Sequence, residues 1–340
     1  MQFPRMLKSS LEVFQKDQKK VSGKCGGILF VLKLILGLFP VLQRRGAFLA
    51  LFACSFLPLY ADEFVVTTLA DDGTSGSFRS GIIAANGSSA IDTITFDQGL
   101  SGTITLTSNL PQITESLTIT GPSGPESVTI SGDDQWNMFS VSSGKLLTLS
   151  ELTFTKCSYG NNYGYGFGGS IIALENSDAV VTSITVTGND DGGSAGALYS
   201  RNNSTLTISN STFSDNSTTI IGSNYGTTPE FTNVDPSNRI VVTGSTFEFN
   251  SGVIFSTERY VKIDNCVFSR NTNTIGDFRG LNAYRVLNSE FTENQHSGYG
   301  ALFSFSNSNL ANGWGSLSQD HHLFDGNTFS GITGDLIHVG

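Results

Sequence analysis

The sequence predicts an all-β protein: a right-handed parallel β-helix closed at its N-terminal end by a cap. Three observations predict it. An eleven-residue block ending in Phe-x-x-Asn recurs at Leu206–Asn216 (LTISNSTFSDN), Ile240–Asn250, Val261–Asn271 and Tyr284–Asn294. A glycine followed by small or apolar residues recurs between the blocks. Glycine (38) and phenylalanine (25) are abundant while charged residues make up only 14%, which suits turn-rich strands and not helices.

Each block opens with alternating apolar and polar residues, the period of a strand. The phenylalanines Phe213, Phe247, Phe268 and Phe291 stand 34, 21 and 23 residues apart, spacings that mark a solenoid. One rung cannot bury its apolar face alone. Stacked on its neighbours, it sets Phe over Phe inside the tube and pairs its backbone above and below. Asn216, Asn250, Asn271 and Asn294 belong at corners. Asparagine tolerates the left-handed conformation, and its amide can bond to the next Asn along the axis. The glycine element reads Gly168-Gly169-Ser170-Ile171, Gly196-Ala197-Leu198, Gly252-Val253-Ile254, Gly276-Asp277-Phe278, Gly300-Ala301-Leu302 and Gly334-Asp335-Leu336-Ile337. Glycine there allows a corner that a Cβ would obstruct. The simplest reading makes both motifs structural.

The chain in order gives three parts. Residues 1–61 form a signal or export segment with nine Lys or Arg against Glu12 and Asp17. Arg44 and Arg45, the apolar run Ala47–Leu59 and Ala61 follow the order of a signal peptide, with cleavage after Ala61. A transmembrane hairpin is the alternative, but each apolar run is shorter than the ~20 residues a span needs. The run 26–42 is either an extended signal or an upstream start, and Leu51-Phe52-Ala53-Cys54 is similar to a lipidation site. Beyond residue 61 remain 10 of the 19 basic and 27 of the 29 acidic residues, a net charge of −17. That excludes a nucleic-acid groove, which needs a basic stripe.

Residues 62–132 form the cap and first rungs. Phe64–Thr68 is a strand, and Thr74–Asn86 is a short helix with Phe78, Ile82, Ile83 and Ala85 on its apolar side. Short strands follow at Thr93–Phe96, Gly102–Leu106, Ser116–Ile119 and Val128–Ile130, separated by Gly- and Pro-containing turns. A cap is required, because an open terminal rung exposes apolar surface and unpaired edges.

Residues 133–340 carry the repeats. Phe154 and Val186 take the Phe position in two degenerate copies, followed by Cys157 and Asn189. Tyr159–Phe167 is an aromatic-glycine loop, either a contact surface or folded back on the tube. Near the end, Phe324-Asp325-Gly326-Asn327 spells the motif by coincidence. The in-register block is His322–Ile332, with Phe329 on the core and Ile332 in place of the Asn. A wall loop covers 306–320. The chain reaches Gly340 without a visible closing cap or membrane-barrel strands. Cys157 and Cys266 either fill corners or pair, across rungs or between chains, in an oxidising compartment. The four histidines lack metal-ligand spacing, so no cofactor or metal is expected.

Phe-x-x-Asn, written here as FSDN, FEFN, FSRN and FTEN, alternates with GGSI, AGAL and YGAL. Together they resemble the repeats of the chlamydial polymorphic outer membrane proteins, across about residues 62–340. The opening TTLADDGTSGSFRSGIIAAN is similar to the cap of many secreted bacterial parallel β-helices, and the expected fold is a pectin-lyase-like solenoid. The resemblance implies an autotransporter passenger on the outer membrane or secreted. It implies adhesion to a host-cell surface receptor, association with other outer-membrane proteins, or self-association. The barrel of that family is absent, so membrane association runs through a barrel elsewhere or through other proteins. No catalysis is expected. The alternative is a secreted polysaccharide-degrading enzyme, because pectate-lyase-like enzymes share this fold. The acid pairs Asp71-Asp72, Asp133-Asp134 and Asp190-Asp191 read as solvated corners, and no basic residue stands at a rung-related offset from them.

Overall fold

A computed structural model describes residues 62–87, 91–123, 127–158, 171–190, 197–224, 239–279, 284–296, 301–306 and 322–339. All of them lie in the second of two compact units, 60–340. The strands form three parallel sheets of ten, nine and eight strands, each strand pairing with its equivalents in the turns of chain before and after. This is a parallel β-helix. One rung visits the three sheets in order, as in Leu206–Ser209, Thr212–Ser214 and Ile221–Asn224. Rungs stack at the strand spacing of about 4.8 Å.

Registers follow the repeat. Leu206 pairs with Ile240, Phe213 with Phe247 and Ile221 with Phe255, so like positions form columns along the axis. Period-two alternation sends one set of side chains inward; Phe213 is buried between half-buried Thr212 and Ser214. The first two sheets meet at a two-residue corner. Its first residue is left-handed, as at Asn210, Gly244, Asn265 and Asn288. Asparagine and glycine suit that conformation, so the corner is local in origin.

The cap is a strand, Asp62–Val66, and a helix, Phe78–Gly87. The helix starts four residues later than expected. Thr74 and Ser77 form a turn, and Ser77 then caps the helix by accepting from the Ser80 amide at 3.2 Å. Phe78, Gly81, Ile82 and Ala85 face the core, while Ile83 is 53% exposed, against the expected apolar side. At the C-terminal rung Phe329 stacks on Phe291 at 4.8 Å but stays 38% exposed, because nothing covers its outer face among the described residues.

Candidate functional site: interior columns and outer walls

The repeat motif builds the interior. Phe213, Phe247, Phe268 and Phe291 are fully buried. Their rings stack nearly parallel, with centroids 4.7, 4.9 and 4.8 Å apart. Val186 and Phe154 continue that column.

Asn216, Asn250, Asn271 and Asn294 are fully buried as well. Up to Asn294, each amide nitrogen donates to the next Asn: Asn189 to Asn216 at 2.8 Å, Asn216 to Asn250 at 3.0 Å, Asn250 to Asn271 and Asn271 to Asn294 at 2.9 Å. Its second hydrogen goes back to a carbonyl one rung below, for example Asn250 to Phe213 at 2.9 Å. Each Oδ1 also accepts the backbone N–H of the preceding Asn, such as Asn216 to Asn250 at 3.0 Å. Both donors and both lone pairs of an interior amide are therefore used. None of these four residues is left-handed; the residue before each one is, at Asp215, Phe249, Arg270 and Glu293. The expectation of a left-handed Asn is corrected: the turn is made one position earlier, which leaves the amide free to point inward.

The glycine element divides. Gly252 is a tight corner, where a Cβ would lie 1.8 Å from the Thr218 carbonyl oxygen. Gly276 is not its counterpart. It pairs with Phe255 and Phe303 inside the third sheet, and the Phe278 ring occupies its missing side-chain space. Gly168, Gly169, Gly196 and Gly300 lie outside the described residues, as do Ala61, the loop 159–167 and residues 307–321.

Cys157 and Cys266 are buried in different columns. Cys157 takes an Asn place, its amide donating to Asn189 Oδ1 at 2.9 Å. Cys266 takes the place held by Ser211, Ser245 and Ser289, and burial pushes its thiol pKa up. They sit four rungs apart, about 19 Å along the axis, beyond the reach of a disulfide within one chain.

One acid pair departs from expectation. Asp71 is buried and bidentate with Arg79, at 2.8 and 2.7 Å. Thr107 donates to it from its amide at 2.7 Å, and Arg79 continues to the carbonyls of Ser108 and Asn109. The pair ties the cap helix to the first rungs, and it escaped the sequence because i, i+8 across a loop has no periodic signature. Asp72 is exposed, and hydrogen bonds from Thr74 lower its pKa. Asp133, Asp134 and Asp190 are exposed corner residues.

The outer walls differ in chemistry. On the second sheet, five successive strands carry hydroxyl residues on both sides of the core residue: Thr103 and Thr105, Thr129 and the buried Ser131, Thr153 and Thr155, Thr185 and Thr187, Thr212 and Ser214. Glu248, Val267 and Glu290 then break the pattern. The T-x-T spelling around each core residue was legible as period two. On the third sheet, charges pair outside: Arg201 with Glu175 at 2.6 Å, and Arg279 with Asp277, whose hydrogen bond raises the Arg279 pKa. Tyr199 lies on this face, buried, and burial pushes its pKa up to about 12. Asp264, on the first sheet, is held low by Asn288 and Lys262.

The corner after the second sheet is a row of left-handed residues: Lys156, Gly188, Asp215, Phe249, Arg270, Glu293 and Gly331. Phe249 is 47% exposed, with the Arg270 guanidinium 5.1 Å from its ring centroid. Arg270 also bonds Glu293 at 2.9 Å. A bulky residue in this conformation is an outlier, costing roughly 1–2 kcal/mol.

Among the described residues, no group of three or more His, Cys, Asp or Glu side chains is placed to share a metal ion. No described helix is long and apolar enough to cross a membrane. No protein-family model matches the chain, and no curated protein matches it. Among solved structures, the chain is similar to Jun a 1, the major allergen from cedar pollen. Identity is 14% over 82% of this chain and 79% of that one, with a TM-score of 0.49. At that identity the likeness is of fold alone.

Proposed function

We propose that this chain is a surface-exposed or secreted β-helical passenger that attaches to host cells. This is the role implied by its resemblance to the polymorphic outer membrane proteins. The observation that supports it is the division of labour in the repeat. Phe and Asn of the motif are consumed by the interior, where the amides of Asn216, Asn250 and Asn271 are fully bonded, so the outer walls can vary without loss of the fold. Such a scaffold offers long lateral faces to a large partner, a host receptor or another outer-membrane protein. Fold by itself decides nothing about activity, so the proposal rests on the motif and its placement.

Export follows from the same reading, with cleavage after Ala61. Mass spectrometry of the exported product should find Asp62 or a near neighbour at the N-terminus; an intact Met1 on a cytosolic protein would refute it. The purified chain should bind cultured cells saturably and compete with itself. Absence of saturable binding would overturn the adhesive role. Release of reducing ends from polygalacturonate would place the chain with carbohydrate-degrading enzymes instead.

A further inference from the structure

Phe249 is the residue the fold explains least. The rest of its column is glycine or polar: Lys156, Gly188, Asp215, Arg270, Glu293 and Gly331. Among the described residues, every other non-glycine in the left-handed conformation is polar. Local propensity therefore argues against an aromatic at this corner, and burial does not reward it, since the ring is 47% exposed. The core is already complete beneath it, with Phe247 fully buried two residues earlier.

The surroundings point to a partner. Arg270 lies over one face of the ring and is steadied by Glu293. Asp215 occupies the same corner one rung before, and Glu248 precedes Phe249 on the outer face. The adjoining wall carries Ser214, Ser269 and Thr292 in the column of Glu248. This is one aromatic ring set among carboxylates, a guanidinium and hydroxyls, at rung intervals of about 4.8 Å. A protein interface draws its energy from a contiguous apolar core, and a lone ring in a polar field does not supply one. A pyranose asks for what is present: an aromatic face for its C–H side, and planar, bidentate groups for adjacent hydroxyls. The four flanking charged residues, Asp215, Glu248, Arg270 and Glu293, sum to a net negative charge, which disfavours acidic sugars.

We infer that the Phe249 corner is a contact site for neutral oligosaccharide on a cell surface, with Phe249 as the stacking platform and Arg270, Glu248 and Asp215 as hydroxyl-binding groups. This rests on the adhesive reading and names the chemistry of its partner. One ring and three polar groups make few contacts, so binding is weak singly and gains by display in many copies.

The test uses the purified chain on immobilised neutral hexose and N-acetylhexosamine oligosaccharides, with heparin as the charged control. Wild type should be retained on a neutral oligosaccharide and not on heparin. Phe249→Asn, which suits the left-handed corner, should lose at least tenfold in affinity while its melting temperature stays level or rises. Phe249→Trp should keep binding. Failure of wild type to bind any neutral oligosaccharide, or unchanged binding by Phe249→Asn, overturns the inference. Cell attachment separates it from the broader proposal. Attachment abolished by protease but unmoved by glycosidase treatment of the cells keeps adhesion and overturns the glycan site. Phe249-dependent glycan binding without cell attachment does the reverse.

Discussion

Replacing Asn250 with alanine tests whether the amide ladder holds the solenoid together. Asn250 accepts from both the backbone N–H and the side-chain amide of Asn216, each at 3.0 Å. It donates to Asn271 and to the Phe213 carbonyl, each at 2.9 Å. Alanine removes all four bonds and leaves two Asn216 donors buried without acceptors. A buried donor left unsatisfied costs about 1–3 kcal/mol, so Asn250→Ala should cost roughly 2–6 kcal/mol. That rivals the ~3–5 kcal/mol expected for Phe247→Ala in the adjacent stack. A corner asparagine in water would cost far less. Stability should be read from urea unfolding of both variants, and amide exchange should show protection lost at Asn216 and in the neighbouring rungs, because coupling in a solenoid is between nearest neighbours. A loss below about 1 kcal/mol, or an Asn216 amide still protected as in wild type, would refute the reasoning.

Other outcomes follow from single positions. Gly252→Ala must displace the Thr218 backbone, 1.8 Å from the new Cβ, and should abolish soluble expression or lower the melting temperature by many degrees. Gly188→Asn keeps a left-handed corner with its Cβ no nearer than 3.4 Å to Thr155, and should melt within a few degrees of wild type. Asp71→Asn leaves Arg79 partly buried without its carboxylate, at a cost of about 3–5 kcal/mol. The exchange of amides in residues 78–87 should rise before that of the central rungs, and equal loss throughout would refute a cap-specific role. Cys266 should resist iodoacetamide in the folded chain, since burial raises its pKa and leaves less thiolate at any given pH than an exposed cysteine has. Cys266→Ser should be nearly neutral in melting temperature, as serine holds that column in neighbouring rungs.

Much of the fold is written locally. Period-two alternation fixes which side chains of Leu206–Ser209 or Thr212–Ser214 face inward, because a strand must send successive side chains to opposite faces. The recurrence of Phe213, Phe247, Phe268 and Phe291 fixes the aromatic column, since only stacking buries those rings. What the sequence left open was decided by register. In Phe-x-x-Asn, either the Asn or its predecessor could have turned left-handed. The structure chose the predecessor because a buried amide can then satisfy all its bonds with neighbours 21 to 37 residues away. Gly276 reads as a corner in the sequence but stands in a strand, since only pairing with Phe255 and Phe303 shows which column it fills. Asp71 and Arg79 find each other across a loop with no period to announce it. The same limit hid Phe249: in FEFN the recurrence places Phe247 in the stack, but only the wound chain shows Phe249 at the corner beside Arg270. Periodicity is a property of neighbours in sequence. Contacts between rungs depend on loops of unequal length, and these are settled only when the rungs stack.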